Sequence, residues 1–353
     1  MPAPPRKTSP KKTGPVTLEQ ARAMVAVTSK APRRRSVTIQ TATPESVGIE
    51  RKRLEIKQRQ ERKQRIDEYT AMMKIMKRRG VKNLTRKSRK PGRARARAGA
   101  AARGAGKPLQ VFAEGDSWFE YPVPLFGGGI IKRLEKRIGV PILNLAKAGD
   151  EVRFMLGVEE RKLLIKQLAD GSPAGGSWDA VLFSGGGNDI VDNPMALWIR
   201  DFDSSRPPAG QINQARLDAA LFLIRAGYED LIALRDELSP STHLIFHAYD
   251  FPIPDGRGKC HFGPWLKPTF DLRKFPSLDS RVAVMKVMLQ QFAALLQSLQ
   301  AAHTKVSFIN GQGTLAPEAD AWDNELHPES DGFNAFADLF HARLKALFPG
   351  RVL

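Results

Sequence analysis

A single cysteine, Cys260, occurs in 353 residues, which excludes an intrachain disulfide and a cysteine-rich zinc centre. No uninterrupted apolar run reaches the ~18 residues that a membrane-spanning helix needs. The N-terminal stretch lacks the compact apolar centre of a secretory signal. These absences predict a cytoplasmic protein with no transmembrane segment. There is no GxxxxGK[ST] pattern, so the glycine-rich stretches are not read as a phosphate loop, and no internal repeat is evident. Aromatic residues are nearly missing from positions 1–107, where Tyr69 stands alone. That excludes single-strand nucleic-acid binding by base stacking.

Negative charge is equally scarce in that N-terminal third. Positions 1–107 carry 31 Lys and Arg against 7 Asp and Glu, a formal +24, whereas 108–353 come to −5, within a net +19. Residues 1–43 are rich in Pro, Lys, Arg, Ser and Thr without a sustained period, and are read as a disordered basic tail. Their composition also fits an organellar transit peptide, though an exposed tail is the simpler account. Residues 44–80, rich in helix formers and closing at Gly80, predict a charged helix. Its second half carries Ile66, Tyr69, Met72, Met73 and Met76, which partly share one face. Residues 81–107 form a basic Gly/Ala/Arg linker. Two readings of this extension stand: a solubilising or assembly tail, or a nonspecific electrostatic contact to nucleic acid or an anionic membrane surface.

From 108 onward the texture changes. The runs LQVFAE, PILNLA, AVLFSGGG, HLIFHAY and KVSFIN alternate with helical stretches around 130–137, 159–169, 213–238, 279–302 and 332–347. Short apolar strands separated by helices predict an α/β domain over 108–353, with a parallel sheet covered on both faces in a three-layer αβα sandwich. In such sheets functional residues gather at the carboxyl ends of the strands.

That rule singles out four loops. The first strand breaks into Gly115-Asp116-Ser117, the second ends in NLAKAGDE with Gly149, the third in SGGGNDI with Asn188, and WDNELHP with His327 precedes the last helix. Serine becomes a useful nucleophile when a neighbouring base takes its proton, and histidine suits neutral pH. An acyl-transfer intermediate needs hydrogen-bond donors aimed at its oxyanion. The Ser117 N–H, the Gly149 N–H and the Asn188 amide offer three.

The ordered set GDSW, NLAKAGD, GGND and NELHP resembles the SGNH hydrolases, also called GDSL esterases/lipases. The resemblance covers most of 108–353 and none of the N-terminal third. It implies a five-stranded, flavodoxin-like sheet and hydrolysis of carboxylic esters, with no metal or organic cofactor. By position it implies Ser117 as nucleophile, His327 as base, and Ser117, Gly149 and Asn188 as the oxyanion hole. One position departs. The family carries Asp three residues before the histidine, and Asn324 stands here, flanked by Asp323 and Glu325. Three arrangements are open: Asp323 reaches His327 through a shifted turn, Asn324 orients it, or a main-chain carbonyl does so.

Trp118, Asp189 and Tyr249 are assigned to the substrate pocket, and Phe119 and Tyr121 are candidates for an apolar wall, with ordinary packing an equal reading. The segment HAYDFPIPDGRGKCHFGPW holds His247, Asp250, Cys260 and His261. Its spacings match no usual zinc pattern, so it is read as a substrate-side loop rather than a metal site. The expected substrate is a small-molecule or lipid acyl ester. The competing reading, motivated by Asn324, is a catalytically impaired protein of this fold that binds rather than turns over, recruited through its basic arm.

Overall fold

The computed structural model describes residues 15–26, 44–81, 108–121, 128–258 and 263–352. The five apolar runs form β1 (Val111–Gly115), β2 (Leu143–Asn144), β3 (Ala180–Ser184), β4 (His243–His247) and β5 (Val306–Ile309). All pairings are parallel, in the order β2-β1-β3-β4-β5. Every residue of β1 and β3 is buried, as a sheet covered on both faces requires.

The helices are α1 (Leu18–Ala26), α2 (Pro44–Arg79), α3 (Ile130–Ile138), the single turn α4 (Val152–Met155), α5 (Val158–Asp170), the turn α6 (Gly187–Ile190), α7 (Gln214–Leu238), α8 (Lys267–Leu272), α9 (Leu278–Ala302) and α10 (Ser330–Leu347). α3 packs against α10, while α7 packs against both α5 and α9. Right-handed crossovers from this strand order put the two groups on opposite faces, giving three layers. By length and composition alone α9 would also fit a membrane span. Here its Val284, Met288, Phe292 and Leu296 are buried in the core.

The strand order reverses between β1 and β3, and the carboxyl ends of those two strands form the crevice where ligands bind in such sheets. Ser117 follows β1 and Asn188 follows β3, so both sit at this reversal. Two glycines permit the geometry. A Cβ on Gly115 would lie 2.6 Å from the Ser184 carbonyl across the β1–β3 pair, and Gly149 adopts φ +79°, a region that favours glycine.

The N-terminal third departs from expectation. Residues 1–14, 27–43 and 82–107 lie outside the described residues. Within the stretch read as a tail, however, α1 is a helix whose Leu18, Ala21 and Val25 are buried together with Val16. Its start is a reciprocal cap: Thr17 N donates to Gln20 Oε1 (3.0 Å) and Gln20 N to Thr17 Oγ1 (3.1 Å), the Thr-x-x-Gln form of a capping box. Lys- and Pro-rich flanks conceal that signal in the composition.

The charged helix is present as α2, and it is built into the domain. Tyr69, Met72, Met73 and Met76 fall at i, i+3, i+4 and i+7, which is one helical face. All four are buried, and the Tyr69 ring lies 5.6 Å from that of Trp178. Lys77 Nζ donates to the Ala174 carbonyl (2.6 Å) and Arg22 of α1 pairs with Glu135 of α3. The boundary expected at 107/108 therefore does not separate α1 and α2 from the sheet.

Truncating the fully buried Met73 leaves a cavity under α2. In urea unfolding of the full chain, Met73→Ala is expected to lower stability by about 2–5 kcal/mol. A loss below about 0.5 kcal/mol, the range of an ordinary surface site, would show α2 to be peripheral.

Candidate active site

The turn after β1 is held from within. Asp116 Oδ1 accepts from Trp118 N (3.0 Å) and Ser184 Oγ (2.8 Å), and Oδ2 accepts from Tyr249 Oη (2.5 Å). Burial pushes the Asp116 carboxyl up to about 6, against the lowering effect of these three hydrogen bonds. This places Ser117 at the mouth of the crevice.

The structure brings His327 to Ser117, although 210 positions separate them. His327 Nε2 lies 2.6 Å from Ser117 Oγ, and Nδ1 lies 3.0 Å from Asn324 Oδ1. Asn324 Oδ1 also accepts from Leu326 N (2.9 Å) and His327 N (3.0 Å). Two backbone donors fix which end of the Asn324 amide is oxygen. Nδ1 must then carry the proton to bond that oxygen, which leaves Nε2 unprotonated and facing the hydroxyl. Burial lowers the imidazole to about 3, partly opposed by the Asp323 charge. The ring is neutral at pH 7.

Of the three arrangements left open for the histidine's support, the structure selects Asn324. Asp323 does not reach the imidazole. Its Oδ2 accepts from Tyr121 Oη (2.8 Å), and Tyr121 Oη accepts from Asn324 Nδ2 (2.9 Å). Tyr121 also stacks on His327, with ring centroids 4.5 Å apart. The phenol is held well above its ordinary range by burial and by its bond to Asp323. The Asn324 amide thus stands between the histidine and the Asp323 carboxylate, donating to Asp323 Oδ2 directly (3.3 Å) as well as to the Tyr121 hydroxyl that bonds it.

On the other side of Ser117, Asn188 Nδ2 donates one hydrogen to the Asp150 carbonyl (2.8 Å) and has a second to offer. Among the described residues, neither Ser117 N nor Gly149 N donates in a backbone hydrogen bond. Gly149 has open space where a Cβ would stand.

A cavity of about 40 Å³ adjoins the hydroxyl, lined among others by Trp118, Val191, Tyr249, Pro252, Leu289 and Leu326. Trp118 and Tyr249 line this cavity, and Trp118 also packs edge-on against Phe336 at 4.9 Å. Asp189 does not line it. Its Oδ2 accepts from Val152 N (2.9 Å) and pins the turn α4. Phe119 stacks on His247 in the interior.

Of the described candidates in the β4 loop, His247 is structural, while Asp250 braces a neighbouring turn and also lines the cavity with Pro252. His247 is fully buried, with Nε2 2.8 Å from Ser184 Oγ and Nδ1 3.1 Å from the Ala248 carbonyl, and burial lowers it to about 4. Asp250 accepts from Gly313 N and Leu315 N, each at 2.7 Å. Cys260 and His261 lie outside the described residues.

Glu325 carried no assignment from the sequence. Its fully buried carboxylate accepts from four backbone N–H groups, those of Gly256 (2.9 Å), Trp265 (2.6 Å), Leu266 (2.8 Å) and Lys267 (3.0 Å). The Trp265 ring consequently stands edge-on to His327 at 5.9 Å. A Glu next to the histidine's supporting residue was the only available hint.

No protein-family model matches the chain, and no curated protein matches it. Among solved structures, it is similar to a lipase from a goat rumen metagenome (16% identity, TM-score 0.44), covering 66% of this chain and 96% of that one. It is similar to an extracellular lipase from Streptomyces rimosus (15%, TM-score 0.42; 66% and 99% covered). A third is a carbohydrate acetylesterase from Sinorhizobium meliloti (15%, TM-score 0.38; 68% and 100% covered). The placement of each side chain rests on its own geometry.

An imidazole lowered in the fold binds fewer protons there than in the unfolded chain between about pH 3 and 6.5. Stability present above pH 6.5 is therefore lost as pH falls through that window. His327→Gln removes this group's share, so its stability relative to wild type is expected to improve by about 1 kcal/mol or more between pH 7 and pH 4.5. Urea unfolding at both pH values measures it. A constant difference would mean that the ring is not depressed.

Proposed function

We propose that the protein is a serine hydrolase that cleaves carboxylic esters through an acyl-enzyme on Ser117. The observation that carries this reading is the 2.6 Å contact between Ser117 Oγ and a His327 Nε2 whose lone pair is enforced by Asn324. His327 takes the Ser117 proton as Oγ attacks the ester carbonyl. The developing oxyanion has the Ser117 N–H, the Gly149 N–H and the second Asn188 hydrogen within its loops; one such donor supplies about 10²–10³ in rate. The imidazolium then protonates the departing alcohol. Next, His327 takes a proton from water, the resulting hydroxide attacks the acyl-enzyme, and the proton returns to Ser117 as the acid leaves.

Asn324 does not by itself argue against turnover. When a serine protease's triad Asp is replaced by Asn, the roughly 10⁴-fold loss comes from the wrong imidazole tautomer. Here the two backbone N–H groups on Asn324 Oδ1 support the correct tautomer. What is missing is a full negative charge beside the imidazolium. The Asp323 carboxylate, bonded by Asn324 Nδ2 directly (3.3 Å) and through the Tyr121 hydroxyl, supplies a weaker, more distant one.

The small cavity favours a short acyl group. At about 10–15 Å³ per water-sized group, about 40 Å³ accommodates an acetyl group but not a long chain. The wall formed by Trp118, Val191, Leu289 and Leu326 suits a methyl end.

p-Nitrophenyl acetate is expected to be hydrolysed at least ~10-fold faster than the octanoate, and Ser117→Ala to lower the rate by about 10³-fold or more. A fluorophosphonate label should map to Ser117. No hydrolysis on any acyl chain together with no label would favour a binding protein of this fold. Asn324→Asp places a carboxylate against Nδ1, and an opposite charge at this range raises a pKa by 1–3 units. The acid limb of kcat/KM is therefore expected to move up by at least about one pH unit, and an unmoved limb would remove Asn324 from the base's support.

A further inference from the structure

β2 is an edge strand of two residues, so its outward carbonyls have no strand to bond. α2 packs along that edge. Arg65 Nη1 donates to both the Asn144 carbonyl (3.1 Å) and the Ala146 carbonyl (3.0 Å). The same turn is closed from inside, where Asn144 Oδ1 accepts from Ala146 N (3.1 Å) and Asn144 Nδ2 donates to Glu120 (2.5 Å). Arg65 is thus the outer clamp on the start of the loop that runs to Gly149.

The end of that loop is held by charge. Asp150 is buried, bonds Lys147 Nζ through Oδ1 (3.5 Å), and offers its carbonyl to Asn188. One helical turn before Arg65, the buried Arg62 forks onto Glu160, with Nη2 2.6 Å from Oε1. Burial raises both Glu114 and Asp150, and the Arg62 charge opposes the rise in each. Between these two anchored ends lies Gly149, whose N–H direction is set by the backbone angles of 144–150. As a glycine, at φ +79°, it has no side chain of its own to lock it.

We propose that α2 is a positioning element for the oxyanion side of the site: Arg65 fixes the start of the 144–150 loop, whose far end Lys147 and Asn188 hold at Asp150, so that the Gly149 N–H and the Asn188 amide converge on one point. The proposal deepens the ester-hydrolase reading and rests on it. It gives the N-terminal segment a role in turnover that neither a solubilising tail nor a surface anchor would have.

In the full-length protein, Arg65→Ala is expected to lower kcat by about 10-fold or more with KM changed less than about 2-fold, because small misplacements of a transition-state donor are costly. Arg65→Lys should recover part of the loss, since the ammonium keeps the donors on a differently shaped stem. Lys77→Ala, which removes only the bond to the Ala174 carbonyl, should leave kcat unchanged. The deciding readout is a cycle with Asn188→Ala. If Arg65 acts by aligning the donors, the Arg65→Ala factor should shrink to below about 3-fold in that background, since groups acting as a unit are not additive. An unchanged kcat, or an equal factor in both backgrounds, overturns the proposal. Should Arg65→Ala fail to fold, Arg65→Gln carries the same cycle. Wild-type protein that neither hydrolyses esters nor labels at Ser117 defeats the parent reading and this one with it, and does so before any α2 variant is made.

Discussion

One amide oxygen organises the site. Asn324 Oδ1 takes hydrogen bonds from Leu326 N, His327 N and His327 Nδ1, and three donors on one acceptor leave no freedom in how the imidazole sits. The backbone bonds make the turn, the turn places the ring, and the ring's tautomer follows from the atom it meets. Asparagine can do this as a neutral group because the job is geometric. The nearest carboxylate charge is displaced outward, to Asp323 on the far side of the Asn324 amide. A site of this kind holds its imidazole rigidly while stabilising the protonated form only modestly.

The sheet and the N-terminal helices answer to a different constraint, the open edge at β2. An edge strand of two residues can neither protect itself nor hold a long loop in place. α2 meets that need with an apolar stripe at Tyr69, Met72, Met73 and Met76, and with two arginines continuing the stripe toward the helix start. The mildly acidic domain supplies the partners, with Glu160 on Arg62 and Glu135 on Arg22. Part of the basic excess of the N-terminal third is therefore matched internally, within the fold.

Much of this was legible in the residues. Alternating apolar runs predict the five strands, and the carboxyl-end rule brings Ser117, Gly149, Asn188 and His327 to one rim. What spacing could not settle is which neighbour of His327 supports it. Asp323, Asn324 and Glu325 are adjacent, and only the turn's dihedrals decide which faces the ring. Asp189 misled for the same reason: a carboxylate beside Asn188 reads as pocket chemistry, yet it pins Val152. Arg62 and Arg65 were hidden in a run of charge, and α1 in a run of proline and lysine. In both cases the informative signal was periodic, while the conspicuous one was compositional. Arg62, Arg65, Tyr69, Met72 and Met76 lie on one face, and Leu18, Ala21 and Val25 on another.

Glu325 ties two parts of the candidate site together. It neighbours Asn324 in the chain, yet its carboxylate gathers backbone amides of Gly256, Trp265, Leu266 and Lys267 on a separate loop. The His327 imidazole and the wall overhanging it are thus hung from a single turn. A change that widened the overhang would disturb the seating of His327 in the same step. The cavity can be reshaped more freely through its opposite wall, at Val191 and Leu289, which does not hang from that turn.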